Sequence, residues 1–328
     1  MNTPHTPPPS SPPPESGTAS ATGNMPESAT GVVVCSDFSP ASDQALARAW
    51  ALAATPEVAL TALNIVASSG LEALRHWLAG QGEWEQRLLA DALARLQGQC
   101  EDMQRNNPRT QPVDCRVGSG ALIAEIKAVV QALQPELVVL GARGESDFLH
   151  LALGTTAERL LHRSHRPLLV VRQPANRPYR RVLVPIDFSP WSILALQAVR
   201  RWAPTAHTVL LHAWSLPFEG KLAMAGVDDD TVTHYRHRAR QEAEQWLQHT
   251  ASEHGLVAGR WTPSLVMGDP SHAILAQAQQ HGCDLIVMGK HGRHAVEELL
   301  LGSVCKHVLA EAEVDVLVVN APHTLNPS

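Results

Sequence analysis

The chain repeats itself once, and this repeat restricts what it can fold into. An apolar run starting at Val32 leads into Asp-Phe-Ser-Pro, and the same arrangement starts at Val182, 150 residues later. Further along, ELVVLGARG ends at Gly144 and DLIVMGKHG ends at Gly292. A period of this length is far longer than that of a solenoid, whose repeats span about 20 to 50 residues. The sequence therefore predicts two domains of similar fold.

Each copy alternates short apolar strands with helices. Strands are predicted near 31–37, 58–66, 112–117, 136–141 and 167–172, and again near 181–187, 207–214, 261–267, 284–289 and 314–319. Helices are predicted near 41–54, 83–105, 190–203 and 228–254. Continuous apolar strands such as LVVL and LIVM are typical of a parallel sheet covered on both faces. The predicted fold class is α/β, with two tandem doubly wound domains at 29–172 and 180–320 and a polar linker at 173–179.

Composition limits the kinds of molecule that we expect the protein to bind. Residues 1–28 are mostly Pro, Ser and Thr and predict a disordered tail, and 321–328 form a second short tail. A net charge of -6 gives no electrostatic case for nucleic acid. No apolar run reaches the roughly 18 residues of a membrane span. We therefore expect neither nucleic acid nor a membrane as a partner.

The five cysteines are scattered, odd in number and without a CxxC pair. They do not predict a disulfide framework, and they fit a protein of the reducing cytoplasm. Cys35 and Cys305 lie near the motifs described next, where we expect them to be small buried apolar residues.

Spaced glycines follow the fourth strand of each copy. They are Gly141, Gly144 and the pair Gly154-Thr155 in the first copy, and Gly289, Gly292 and the pair Gly302-Ser303 in the second. Glycine at a strand end lets the backbone approach a ligand closely. A helix that opens at Gly-Thr or Gly-Ser presents N–H groups suited to a phosphate. The pattern predicts a nucleotide site, the alternative being that these glycines only shape a tight strand-to-helix loop.

Together, Asp-Phe-Ser-Pro and G-x2-G-x9-G-(S/T) make residues 30–320 resemble two universal stress protein domains of the ATP-binding branch. The resemblance implies five-stranded parallel sheets of strand order 3-2-1-4-5, with the ligand outside the ends of strands one and four. It implies ATP, with Mg²⁺, as the ligand. The contacts it implies are Asp37 and Asp187 at the nucleoside, Ile65 and Ala213 at adenine, and the glycines with Thr155 and Ser303 at the ribose and phosphates. An Asx-type turn or helix cap is an alternative or additional role for the two aspartates.

The two copies differ around the expected site. The second loop contains Lys290, His291, Arg293 and His294, whereas the first sets Glu145 and Asp147 against Arg143. The first copy also has Cys35 and Asn64 where the second has Pro185 and His212. Because cations favour a bound triphosphate, we expect the second copy to be the better ATP site.

No Walker-type loop, GxSxG or HExxH occurs, and neither a nucleophile–base pair nor a metal-ligand set stands out. We expect a stress-response binding or signalling module with unknown protein partners rather than a metabolic enzyme. The alternatives are a slow Mg-dependent ATPase and a nucleotide-free scaffold. Leu168–Val171 and Val316–Val319 resemble the family's dimerisation strand, which implies an internal pseudo-dimer or a homodimer.

Overall fold

The computed structural model describes residues 30–68, 84–142, 155–175, 177–214, 228–292 and 301–320. The first half contains β1 (Thr30–Cys35), α1 (Pro40–Leu52), β2 (Val58–Ala67), α2 (Trp84–Asn106), β3 (Asp114–Gly120), α3 (Leu122–Leu133), β4 (Leu137–Gly141), α4 (Thr155–Arg163) and β5 (Leu168–Val171). The second half contains β6 (Arg181–Pro185), α5 (Pro190–Trp202), β7 (His207–Trp214), α6 (Asp229–Glu253), β8 (Trp261–Met267), α7 (Pro270–Gln280), β9 (Leu285–Gly289), α8 (Ser303–Glu311) and β10 (Asp315–Val319). The two predicted tails lie outside the described residues.

The strands form one ten-stranded sheet in the order β3-β2-β1-β4-β5-β10-β9-β6-β7-β8. Each half therefore has the order 3-2-1-4-5, which confirms the predicted fold class. Neighbouring strands run parallel everywhere except where β5 meets β10. Within each half the first and fourth strands are adjacent, so the crevice between their carboxyl ends is a topological switch point.

Local sequence explains where the elements begin. In α1 and α5 a proline occupies the first turn, where its fixed φ suits a helix and its missing N–H costs no hydrogen bond. Ser39 caps α1 by accepting from the Ser42 backbone N–H at 3.2 Å. The inner strands β4, β5, β9 and β10 are buried along nearly their whole length, as strands covered on both faces must be. Among the helices in the described ranges, none has both the length and the apolar character that crossing a membrane requires.

The antiparallel pair of β5 and β10 joins the two halves. Leu169 faces Leu317 across this pair, with Val170 opposite Val316. Leu169 and Leu317 belong to one buried cluster, which also holds core residues of both halves, and Val170 and Val316 belong to the cluster on the opposite face of the sheet. The two hydrophobic layers therefore run through the junction without interruption.

A buried aspartate forms hydrogen bonds with the segment that connects the two halves. Asp315 is fully buried at the start of β10, and its Oδ1 accepts the backbone N–H groups of Arg172 and Gln173 at 2.7 and 3.0 Å. Its Oδ2 accepts the Tyr179 hydroxyl at 2.6 Å and lies 3.2 Å from Nε of Arg48, on α1. Burial, and after it the charge of Asp315, raises the pKa of Tyr179 well above its usual value. The predicted polar linker is thus tied to both halves by one carboxylate.

Candidate functional site

The structure brings together the two chain segments on which the prediction rested. Asp187 lies two residues after the end of β6, and β9, which ends at Gly289, is the neighbour of β6 in the sheet. The first half repeats this arrangement, with Asp37 after β1 and Gly141 at the end of β4. Both expected crevices therefore lie at the switch points, as the strand order requires.

Each aspartate closes a tight turn into the next helix. Oδ1 of Asp187 accepts the backbone N–H and the hydroxyl of Ser189 at 3.0 and 2.6 Å, and also the hydroxyl of Ser192. In the first half, Oδ1 of Asp37 accepts the same two groups from Ser39 at 3.1 and 2.6 Å. The Asx-type turn considered from the sequence is therefore present in both copies. Contact with a nucleoside stays a prediction for both side chains.

A phenylalanine in each of these turns has an unusual backbone. Phe38 and Phe188 have φ values of 63° and 61°, in the left-handed region that bulky residues seldom adopt. The Phe188 ring packs against His212 with centroids 4.8 Å apart and against Trp246 at 5.1 Å. In the first half the Arg95 guanidinium lies 4.3 Å over the Phe38 ring instead. The repeated Asp-Phe-Ser-Pro marked this turn in the sequence, but not its strain.

The second strand of each half supports the turn by a hydrogen bond. Nδ1 of His212 lies 2.7 Å from the carbonyl of Ile186 and carries the hydrogen, because a carbonyl only accepts. Nδ2 of Asn64 donates to the carbonyl of Ser36 at 2.8 Å. In the sequence, Asn64 and His212 are a difference between the two copies. In the structure, both side chains donate to the carbonyl at the same position of the repeat, Ser36 in the first half and Ile186 in the second.

The two residues expected at adenine are the next ones along these strands. Ile65 pairs with Gly118 in β3, and Ala213 pairs with Val266 in β8. Both therefore lie within the last residues of β2 and β7 rather than beyond the strand ends. The structure places them near the carboxyl edge of the sheet, and adenine contact stays a prediction.

The strand-end glycines have a packing reason. A Cβ on Gly289 would lie 2.5 Å from Cβ of Trp191, and one on Gly141 would lie 2.7 Å from the carbonyl carbon of Ala41. Real Cβ atoms do not come this close, so any larger residue would push the first turn of α5 or α1 away from the sheet. For Gly141 and Gly289 the loop-shaping alternative therefore explains the glycine without a ligand.

Gly292 is different because its neighbour is a functional candidate. A Cβ at Gly292 would lie 2.8 Å from Oδ2 of Asp187. Gly292 does not have the positive φ that would itself demand glycine. The absence of a side chain here lets the segment after β9 approach the carboxylate that follows β6.

Gly302 and Ser303 open α8 beside this segment. Gly302 is the N-cap residue, and its N–H donates to the carbonyl of Lys290 at 3.1 Å. Ser303 is exposed and is the first residue of the helix, where N–H groups have no partner within the helix. In the first half Thr155 begins α4 in the same way, whereas Gly144 and Gly154 lie outside the described residues.

Of the cations expected near the phosphates, the structure describes Lys290 and His291. Lys290 is buried, and its Nζ donates at 3.2 Å to the carbonyl of His162 in the first half. The prediction that Lys290 favours a triphosphate is therefore not supported, since its amine binds across the junction. His291 is also buried, with its ring 5.1 Å from that of Trp191. Arg293 and His294, like Arg143, Glu145 and Asp147, lie outside the described residues.

The cysteines near the motifs are inert thiols. Burial raises the pKa of Cys35 and of Cys305 to about 12 in each case. A thiol that stays protonated is a poor nucleophile. Cys305 is a small buried core residue, as the sequence analysis expected, whereas Cys35 is partly buried and packs against the core.

These features define a tandem of doubly wound α/β domains, each with a topological switch point between its first and fourth strands. The chain belongs to the Universal stress protein family, whose profile matches residues 30–172 and 178–320. Universal stress protein MJ0577 of Methanocaldococcus jannaschii is 28% identical over 153 residues, which cover 43% of this chain and 94% of that protein. A universal stress protein of Mycolicibacterium smegmatis is 26% identical over 90% of this chain and 99% of its own length. The crystal structure of a universal stress protein from Archaeoglobus fulgidus has a TM-score of 0.57 at 20% identity, covering 88% of this chain and 98% of that one.

Proposed function

We propose that the protein binds ATP in the crevice of its second half and acts as a stress-response signalling module. The observation that carries the proposal is the approach of Gly292 to Oδ2 of Asp187, where a Cβ would come within 2.8 Å. Within the described residues, neither backbone conformation nor contact with a helix demands glycine at this position. A ligand that contacts the Asp187 carboxylate at the end of β6 would therefore also contact bare backbone at the end of β9.

The chain beyond Gly292 fits the phosphate end of such a ligand. Gly302 is tied to the carbonyl of Lys290 at 3.1 Å, so the start of α8 stays beside the end of β9. The exposed N–H groups and the positive dipole end of this nine-residue helix favour a phosphate. The Ser303 hydroxyl adds a further donor. Asp187 would accept from ribose hydroxyls, and Mg²⁺ would enter with the nucleotide on its phosphate oxygens, as that ion prefers.

The preference for the second half rests on burial rather than on loop cations. Asp187 is partly buried, whereas its counterpart Asp37 is exposed. A carboxylate that is shielded from water forms stronger hydrogen bonds to a ligand. Trp246 also packs on Phe188, the residue after Asp187, with ring centroids 5.1 Å apart. The first half is proposed to bind ATP more weakly, through Asp37 and its own glycine segment.

The nucleotide-free scaffold remains the rival function, because Gly141 and Gly289 are explained by packing alone. Calorimetric titration with Mg-ATP separates the two. Gly292→Ala adds only a Cβ, which would meet Asp187 Oδ2 and narrow the crevice. We expect it to weaken ATP binding about tenfold or more, which corresponds to roughly 1.4 kcal/mol.

Gly98→Ala is the matched control, since a Cβ at Gly98 on α2 meets nothing within 4 Å. It should bind ATP as the original chain does. If the original chain takes up no ATP, the scaffold function replaces the proposal. If both variants bind ATP equally well, the nucleotide does not lie against Gly292. Turnover measured alongside, with and without Mg²⁺, tests the slow ATPase.

A further inference from the structure

Two thiols meet in the first half, at a place that the proposed nucleotide function does not use. Cys100 lies on α2 and Cys115 on β3, and their sulfur atoms are 3.6 Å apart. All five cysteines fall within the described residues, and each is a free thiol. A disulfide bond is about 2.05 Å long. The two sulfurs therefore have to approach by about 1.5 Å to reach bonding distance.

The two thiols differ in their exposure to solvent. Cys100 is buried, whereas Cys115 is only partly buried and lies on β3, a strand at the edge of the sheet. A small oxidant can therefore reach Cys115 more easily than it can reach Cys100. Reactive thiol pairs commonly have this arrangement, in which an accessible sulfur reacts and a neighbouring sulfur resolves the product.

The hydrogen bond within the pair favours a negative charge on one of the two sulfurs. The hydrogen bond between the two thiols lowers the pKa of Cys115, outweighing burial and the nearby carboxylates of Asp114 and Glu101. The same bond, together with burial, raises the pKa of Cys100, while the charge of Arg109 acts in the opposite direction. Cys115 therefore ionises before Cys100.

Two nitrogen atoms of the nearby Arg109 guanidinium have no hydrogen-bond partner among the described residues. Its Nη2 donates to the carbonyl of Val58 at 3.0 Å, but Nε and Nη1 are buried without a hydrogen-bond partner within the described part of the chain. A buried guanidinium with unpaired donors is costly unless an anion lies nearby. The positive charge of Arg109 acts on Cys100 and favours its ionised form.

We propose that Cys100 and Cys115 form a reversible disulfide when the protein meets a hydroperoxide. The Cys115 thiolate attacks one peroxide oxygen, forming an S–O bond as the O–O bond breaks, and with hydrogen peroxide the leaving hydroxide takes up a proton to become water. The Cys100 sulfur then attacks the resulting sulfenic acid, forming the S–S bond. The S–O bond breaks and the oxygen leaves as a second water, with the Cys100 proton. The two thiols supply the two electrons, and an external dithiol reverses the step by exchange.

The modification concerns the first half alone. The matching helix and strand of the second half, α6 and β8, contain no cysteine. The bond would join α2 to the edge strand β3. It would thus rigidify one side of the half that is proposed to bind ATP less well. It does not rest on ATP binding, since neither thiol belongs to the crevice.

Peptide mapping of the full chain tests the proposal directly. After hydrogen peroxide treatment and alkylation without reductant, trypsin should release peptide 96–105 linked to peptide 110–116, at a mass lower by two hydrogen atoms than the reduced pair. Two of the five thiols should be lost, and dithiothreitol should restore both. If the two peptides stay separate while other thiols oxidise, or if no thiol is lost, the proposal is wrong.

Variants identify the attacking sulfur. In Cys100→Ser, the sulfenic acid on Cys115 has no partner and should be trapped by dimedone, whereas Cys115→Ser should yield much less trapped product. Cys283→Ser is the matched control, because burial raises the pKa of that thiol to about 11 and it lies in the other half. It should form the same linked peptides as the original chain. Equal dimedone labelling of the Cys100→Ser and Cys115→Ser variants would overturn the assigned order of attack.

Discussion

We propose that Asp187 has two roles, one for each of its carboxylate oxygens. Oδ1 is engaged by Ser189 and Ser192 in the turn that leads into α5. Oδ2 faces Gly292, across the crevice. The turn explains why residue 187 has a side-chain oxygen that accepts hydrogen bonds. Gly292, which faces Oδ2, supports our proposal that the negative charge also contacts the nucleotide. The two roles can be separated by a substitution that keeps the acceptor but removes the charge.

Asp187→Asn is that substitution. An amide oxygen still accepts from Ser189, so the free energy of unfolding should change by less than about 1 kcal/mol. ATP affinity should fall about tenfold, because a hydrogen bond to a charged group is worth roughly 1.5–3 kcal/mol. Thermal unfolding and calorimetry measure the two effects. Asp37→Asn, in the matching turn, is the control and should leave the tighter site unaffected. An unchanged affinity in Asp187→Asn would mean that the carboxylate serves the turn alone.

Several site features at the residue scale were not readable from the sequence. The left-handed backbone of Phe38 and Phe188 depends on the packing of their rings against residues far along the chain, such as Arg95 and Trp246. Lys290 looked like a phosphate ligand because its neighbours in sequence are cationic, but its side chain crosses to the carbonyl of His162. Contacts of this kind are fixed by tertiary structure, which spacing and composition do not record.

At the scale of the elements, periodicity predicted nearly everything. Short apolar runs bounded by turn residues located all ten strands, and proline after serine located the starts of α1 and α5. The first strand of each half ends earlier than expected, at Cys35 and Pro185, because the aspartate turn begins two residues before the predicted end. The side-to-side order of the strands came from the family resemblance, since periodicity alone gives no order.

A buried ion pair holds the two halves together, and no sequence pattern predicted that its two elements would be in contact. Arg48 of α1 and Asp315 of β10 form an ion pair with side chains 5% and 0% exposed. Arg48→Ala should lower the free energy of unfolding by about 3–5 kcal/mol, because it leaves a buried carboxylate without its counter-charge. Urea unfolding followed by circular dichroism measures the loss.

Glu136→Gln provides the comparison. Glu136 and Arg201 also pair across the two halves, at 2.9 Å, but their side chains are 39% and 41% exposed. Water screens such a pair, so the substitution should cost no more than about 1 kcal/mol. If the two variants lose equal stability, the buried pair is not what fastens the halves.

For the whole molecule, the central fact is the continuous sheet. Because β5 and β10 pair in an antiparallel sense and both hydrophobic layers run through the junction, the chain contains within itself an arrangement that resembles a dimer. The halves are alike in topology but differ in chemistry. The second has the partly buried Asp187 followed by Phe188, on which Trp246 packs, and the first has the adjacent thiols of Cys100 and Cys115. Duplication has left one fold with two separately specialised halves.

Hydrogen exchange with and without Mg-ATP tests this account most directly, since it reports on both halves of the intact protein in one experiment. We expect ATP to slow exchange in 186–192 and 289–303, the two segments that meet at Asp187 and Gly292, with a smaller effect in the matching segment 36–42. Protection confined to the first half, or no protection at saturating ATP, would contradict the assignment of the nucleotide site to the second half.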